Sequence, residues 1–288
     1  MKTEKSTWLF EITPKNSLFD LNLKEVWDYK DLLVLFVKRD IVTVYKQTIL
    51  GPLWYLIEPL FTSIIFTLIF NNVANITTGD VPPFLFNLAG ITIWNYFKTC
   101  LTSTSSTFSA NAGIFGKVYF PRMIIPMSIV ISNLFRFGIQ LFIFFVFYVY
   151  YFYKGADIGL NKYAILFPVM ILLMGMLGLG LGMIISSLVT KYRDFKVLMN
   201  FGVQLLMYLS AVMYPISYFE DKLPEYVWIV KYNPLTYIIE TVRFILLDIK
   251  DMSFDYSMFI SSIVITLIIL FTGIVVFNKA EKNFVDTV

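Results

Sequence analysis

Six long apolar stretches separated by short polar segments dominate the chain, at about 53–71, 84–108, 122–152, 163–189, 197–219 and 257–277. A helix that crosses a bilayer needs roughly 20 mostly apolar residues, so each stretch predicts a transmembrane helix. Runs this long exclude a β-barrel, whose strands are short and alternate. Ahead of the first span the pattern changes. From Lys24 to about Leu50, Leu33, Val37, Ile41 and Tyr45 recur every four residues, joined by Val44. Lys38, Arg39, Thr43, Lys46 and Gln47 lie largely opposite, while Leu32, Leu35 and Phe36 widen the apolar side. This spacing predicts an amphipathic helix lying at the membrane interface with its back against other protein. Gly51-Pro52 ends it, and proline suits the first turn of the span that follows.

The connections are equally informative. The segment 109–118 is long enough for a short helix, closed by Pro121. Gly175, Gly178, Gly180 and Gly182 line the fourth span, a spacing that lets helix backbones approach closely within one chain. After the fifth span, Pro215, Pro224 and Asn233-Pro234 punctuate the sequence. The apolar pieces Tyr226–Tyr232 and Leu235–Leu247 are too short to span, which predicts two short re-entrant helices within 222–247. The expected fold is therefore all-α: six transmembrane helices, an interface helix over 24–50 and a re-entrant outer pair before the last span. Residues 1–23 read as a polar leader, and 51–288 as one six-span domain.

Composition agrees with the pattern. Apolar residues make up 58% of the 288, and mean hydropathy is +0.72. The net charge of +3 gains meaning once mapped onto loops. Fifteen Lys/Arg fall on one set of connections and six on the other, which predicts both termini in the cytoplasm. The basic residues thus report topology, and a nucleic-acid partner is not indicated. No signal-peptide pattern precedes the first span, so residues 1–50 are expected to stay on the side of synthesis.

Candidate chemistry narrows the class further. Histidine is absent and Cys100 is the sole cysteine, which argues against a metal, haem or iron–sulfur site and against Ser-His or Cys-His catalysis. Gly113-x-x-Gly116-Lys117 lacks the spacing, the following Ser/Thr and the preceding strand of a phosphate loop. No catalytic residue is expected. Charges inside spans are costly, so Glu58, Lys98 and Arg136 each need a reason, and Arg136 reads as a group that holds the bundle together. Glu240 and Arg243 stand at i,i+3 and can pair. Thr102 to Thr107 form a hydroxyl-rich row suited to close packing or to a wetted wall. Tyr55, Tyr96, Tyr208 and Tyr214, with Trp54 and Trp94, are candidate channel-lining aromatics. Their rings offer an apolar face and a polar edge to a sugar.

Several motifs in order resemble a known family: Leu50-Gly51-Pro52-Leu53-Trp54 with Glu58-Pro59, Tyr119-Phe120-Pro121-Arg122, Tyr192-Arg193-Asp194, and Asn233-Pro234-Leu235-Thr236. Together they are similar to the permease subunit of type-2 ABC exporters, in the branch that exports cell-surface polysaccharide such as O-antigen or teichoic acid. The resemblance implies a homodimeric channel in the inner (cytoplasmic) membrane, with two copies of a separate ATPase that binds ATP and Mg2+. This chain would bind no cofactor of its own. The substrate implied is a polyprenyl-pyrophosphate-linked glycan. Lys38, Arg39, Lys46 and Glu58 would form its access point, with the first three attracting its charge. Gly113, Phe115 and Lys117 of a gate helix, with Tyr192, Arg193 and Asp194, would contact the ATPase. Asn233, Pro234, Glu240 and Arg243 would form an outer gate. A type-2 permease for a drug or small lipid is the nearest alternative, and an ion-coupled transporter or channel the next. The latter class usually shows internal repeats and an acid or histidine relay, which this chain lacks.

Overall fold

The computed structural model describes residues 23–46, 51–192, 194–250 and 252–285, and among them the chain is all-helical, without strands. The helices are α1 (Leu23–Asp28), α2 (Lys30–Lys46), α3 (Trp54–Phe66), α4 (Pro83–Ser105), α5 (Thr107–Phe115) and α6 (Ile124–Tyr153). They continue with α7 (Phe167–Lys191), α8 (Phe195–Leu209), α9 (Ile216–Lys222), α10 (Val227–Lys231), α11 (Pro234–Leu247) and α12 (Tyr256–Val285). The predicted interface helix is thus interrupted at Tyr29, and the predicted helix over 109–118 runs instead over Thr107–Phe115.

Side-chain contacts sort the connections into two poles. At one pole, Phe36 of α2 meets Phe120 (5.8 Å between ring centres), and Phe108 of α5 stacks on Phe277 of α12 at 4.6 Å. Arg122, just before α6, reaches Glu281 near the end of α12, with Nε 3.6 Å from Oε1. At the other pole, Tyr163 stacks on Phe254 at 4.7 Å, Asn161 Nδ2 donates to Asp248 Oδ1 at 2.5 Å, and Lys250 pairs with Asp157. The chain therefore alternates between poles through α3, α4, α6, α7, α8 and α12.

Among the described residues, four helical segments are both long and apolar enough to cross a membrane: Trp54–Val73, Ile124–Tyr153, Lys162–Lys191 and Tyr256–Glu281. The first of these continues α3 as a π-helical turn over Thr67–Val73. The other two expected spans differ in instructive ways. Helix α4 is 23 residues long, but Asn87, Thr92, Asn95, Lys98 and Thr99 dilute its apolar character. Most of it is buried in the bundle, where neighbouring helices can satisfy such groups. Asn87 illustrates this, donating to Thr67 Oγ1 at 3.1 Å and to Asn71 Oδ1 at 2.9 Å. The run expected to span over 197–219 is not one helix. It stops at Leu209, Ala211 takes a left-handed φ of 50°, and Pro215 adopts an extended conformation before α9. A left-handed residue cannot continue the helix, and proline has no N–H to donate. Helix α8 is thus 15 residues long.

The core forms where α7 lies between α4 and α12, and its glycines explain how. A Cβ on Gly178 would sit 2.7 Å from Cys100 Cβ, and one on Gly182 2.6 Å from Thr104 Cβ, both on α4. On the opposite side, a Cβ on Gly180 would lie 2.9 Å from Leu270 Cα, and one on Gly273 would lie 2.5 Å from Gly180 O. Backbone meets backbone at both seams, which multiplies close contacts in a setting where lipid removes most of the hydrophobic drive. The spacing of small residues thus packs the chain against itself.

Because the Gly180–Gly273 contact is backbone on backbone, it has no flexible neighbour to yield. Gly273→Ala is expected to cost about 1–3 kcal/mol through overpacking. Gly138→Ala on α6, where a Cβ meets nothing within 4 Å, should be neutral or slightly stabilising. Thermal unfolding of the purified protein compares them, and equal midpoints would contradict this packing.

Candidate functional site

At the first pole, α2 turns Phe36 inward onto a cluster with Phe108, Phe115, Phe120 and Ile124, while Lys38 and Arg39 stay exposed. Arg39 Nη2 lies 2.8 Å from Asp40 Oδ1, and its guanidinium sits over the Phe36 ring at 4.6 Å. Val34 and Leu35 are exposed, whereas Leu32 packs with Phe36 against the cluster, so the apolar side of this helix is divided between protein and surroundings. The side chain of Lys46 lies outside the described residues. Helix α5 buries Phe115 beneath the Arg122 guanidinium, 5.0 Å above the ring, while Gly113 and Lys117 remain at the surface. Partial burial holds Arg122 below its ordinary range, with Glu281 opposing the shift. Burial and the nearby Glu25 carboxylate raise Tyr119, whose hydroxyl donates to Glu25 Oε1 at 3.4 Å. Tyr192 and Asp194 are exposed at the α7–α8 corner, and Arg193 lies outside the described residues.

The six candidate aromatics do not form one surface. Trp94 and Tyr96 are buried in the core, packed on Phe97 and Phe137 respectively. Trp54 and Tyr208 are each 52% exposed, but they stand near opposite poles on α3 and α8. Tyr55 lies beneath Arg136, 5.0 Å from the guanidinium. Tyr214 donates to Tyr208 O at 2.5 Å and stacks on Phe219 beyond the end of α8. Glu58 of α3 pairs loosely with Lys98 of α4 at 3.4 Å, at about the depth of Arg136. These three charges, scattered in sequence, thus converge between α3, α4 and α6. Sequence reasoning gave Arg136 a packing role and passed over Asn133 and Gln140, although Ser128, Ser132, Arg136 and Gln140 recur every four residues along α6. That period was the available signal.

At the far pole, Asn233, Pro234, Glu240 and Arg243 do come together around the break after α8. Asn233 caps α11 by accepting from Leu235 N at 3.0 Å, and its Nδ2 donates to Ser210 Oγ at 3.0 Å and Leu209 O at 3.2 Å. Pro234 occupies the first turn, where no N–H is needed. Arg243 is fully buried. Its Nη1 donates to Glu240 Oε1 and to Ala211 O, both at 2.7 Å, and Nη2 donates to Val212 O at 2.6 Å. Its Nε donates to Phe86 O on α4 at 3.3 Å, and the guanidinium lies 3.8 Å from the centre of the Phe86 ring. Gly90 makes the room, since a Cβ there would collide with Nη2 and lie 2.9 Å from Cζ. One side chain therefore satisfies the carbonyls freed by the helix break and joins α4, the segment after α8 and α11.

Four helical segments long and apolar enough to cross a membrane define an α-helical, multi-pass membrane protein. Comparison with known families makes this specific. The chain belongs to the ABC-2 type transporter family, which matches residues 31–247. Its relatives include an O-antigen export system permease protein RfbA from Klebsiella pneumoniae, 29% identical over 263 residues that cover 89% of this chain and 94% of the relative. An O-antigen export system permease protein RfbA from Myxococcus xanthus is 23% identical over 92% of this chain and 98% of its own length. The polysialic acid transport protein KpsM of Escherichia coli is 22% identical over 85% and 91%, respectively.

Arg243→Met removes one partner of a buried ion pair and leaves carbonyls unpaired, which should cost roughly 3–5 kcal/mol. Glu240→Gln keeps an acceptor facing Arg243 but leaves its charge unanswered, so it should cost less than Arg243→Met, about 2–3 kcal/mol. Thermal or denaturant unfolding of the purified variants measures both; an Arg243→Met protein as stable as the wild type would remove this network from the account of the fold.

Proposed function

We propose that this chain is the membrane permease of an ATP-driven exporter that moves a lipid-linked cell-surface polysaccharide out of the cytoplasm. The observation that carries the reading is the near-full-length similarity to permeases named for O-antigen and polysialic acid, within a family whose match covers most of the chain. In this reading six segments cross the inner membrane, with α4 and α8 completing the spans and both termini in the cytoplasm. The pole built from α2, α5 and the α7–α8 corner is then cytoplasmic, consistent with the excess of Lys/Arg on those connections. Helices α9 to α11 form the outer, re-entrant gate around Arg243.

Two copies of the chain enclose the channel, and an ATPase docks on each cytoplasmic face. The exposed Gly113 of α5 and Lys117 just after it, with Tyr192, Arg193 and Asp194, meet the ATPase. Phe115 acts from beneath, as the buried anchor that transmits movement of α5 to the cluster under α2. Lys38, Arg39 and Lys46 attract the pyrophosphate of a polyprenyl-linked glycan to the doorway. The exposed Trp54 and Tyr208, near opposite poles, would offer their ring faces to a glycan at the two ends of its path. ATP and Mg2+ belong to the partner chain.

Two experiments test the reading. In proteoliposomes holding this permease and its ATPase, transfer of a polyprenyl-linked glycan should require ATP and fall to background without the ATPase. Transfer at an unchanged rate without the ATPase would exclude it. Topology is tested with an impermeant maleimide, against the low background of the single buried Cys100. Cysteine at Asp80 or Asp157 should react from outside intact cells, and cysteine at Lys117 or Asp194 only after permeabilisation. The reverse pattern would invert the assignment of the two poles.

A further inference from the structure

Facing rows on α4 and α6 build a polar seam through the membrane-embedded part of the bundle. On α6 the row is Ser128, Ser132, Arg136 and Gln140 with Asn133 beside it, and all but Arg136 are buried. Two cavities lie along the seam. One, of about 140 Å3, is bounded by Tyr55, Glu58, Asn95, Lys98, Thr99 and Gln140. The other, of about 530 Å3, opens beside α2 and α5 and is bounded by Arg39, Asp40, Thr43, Ser103, Asn111 and Ser132. Asn133 and Arg136 line both, so the two cavities meet at these residues.

The charges do not cancel along this path. Arg39 is matched by Asp40 at 2.8 Å, and Lys98 by Glu58 at 3.4 Å. Among the described residues no carboxylate lies within ion-pair distance of Arg136, whose guanidinium rests over the Tyr55 ring at 5.0 Å. Arg136 stands about 18 Å along α6 at 1.5 Å per residue, far from either end of this 30-residue helix. A guanidinium at that depth, unmatched and bordering two cavities, calls for an anion. Its planar fork suits the paired oxygens of a phosphate, and the amides of Asn133 and Gln140 can donate to the remaining ones.

We propose that this seam is an anion-binding cleft that seats a phosphate or pyrophosphate group, with Arg136 as the principal ligand and Arg39 as the guide at its mouth. The proposal rests on the reading of the chain as a permease for a lipid-linked glycan, and it places that link between α4 and α6, deeper than the basic face of α2.

The test uses the full-length permease in phosphatidylcholine nanodiscs, with radiolabelled undecaprenyl pyrophosphate carrying no sugar as the probe. The wild type should bind saturably. Arg136→Gln should weaken binding about tenfold or more, with Arg136→Lys between the two because it keeps the charge and loses the fork. Asn133→Asp sets a carboxylate one turn from Arg136, so binding should fall as far while thermal stability holds or rises, which separates lost binding from lost folding. Displacement by millimolar inorganic pyrophosphate or by added phosphatidylglycerol would assign the cleft to the phosphate group in general; resistance to both would assign it to the polyprenyl-linked form. Either result supports the cleft. Unchanged probe binding in both Arg136→Gln and Asn133→Asp overturns it. If the wild type binds the probe through Arg136 yet shows no ATP-driven glycan transfer, the transport reading fails and the cleft stands.

Discussion

A single buried guanidinium sets the architecture of one whole pole. The chain after α8 cannot remain helical through Ala211 and Pro215, and the break frees backbone carbonyls at the fully buried Ala211 and Val212. Arg243 reaches back from α11 to accept that burden, holding Ala211 O, Val212 O and Phe86 O at once. Its charge is answered by Glu240 one turn earlier and by the face of Phe86. Glu240 keeps a second oxygen without a hydrogen-bond partner among the described residues. Removing the arginine would leave three elements with unsatisfied groups; removing Gly90's vacancy would leave the arginine nowhere to sit.

The remainder of the bundle relies on a different device. Helix α7 touches α4 through Gly178 and Gly182 and α12 through Gly180, so its backbone serves as the packing surface on two sides. Such a spine resists bending, because any rotation drives backbone into backbone. Movement is then left to the elements hung on its two ends. At the basic pole these are α2, α5 and the segment leading into α6, joined by stacked phenylalanines. At the other they are the short helices tied by Arg243.

Much of this was legible from residue pattern. Apolar runs located the long helices and Asn233-Pro234 marked the start of α11, but the span expected over 197–219 ran through the break at Ala211 and Pro215. The Glu240–Arg243 spacing announced the pair. Its partners were not legible, since Phe86 and Ala211 lie more than 30 residues away and contribute carbonyls that any residue could supply. The uneven fates of the aromatics were hidden for a related reason. Trp94 and Tyr96 read equally well as channel-lining or core aromatics, and only the enclosure of α4 by its neighbours places them in the core. Hydropathy reports what faces lipid, and α4 mostly does not. Arg136 was visible as a costly charge, but the empty space beside it was visible only in three dimensions.

The most direct measurement of the central claim, that Arg243 fastens α4, the segment after α8 and α11 into one unit, is hydrogen–deuterium exchange on the full-length protein. If the claim holds, amides of residues 210–214, 235–247 and 86–90 exchange with one common, slow rate and lose protection together in Arg243→Lys. Rapid, independent exchange at 210–214 in the wild type, with α11 still protected, would contradict it.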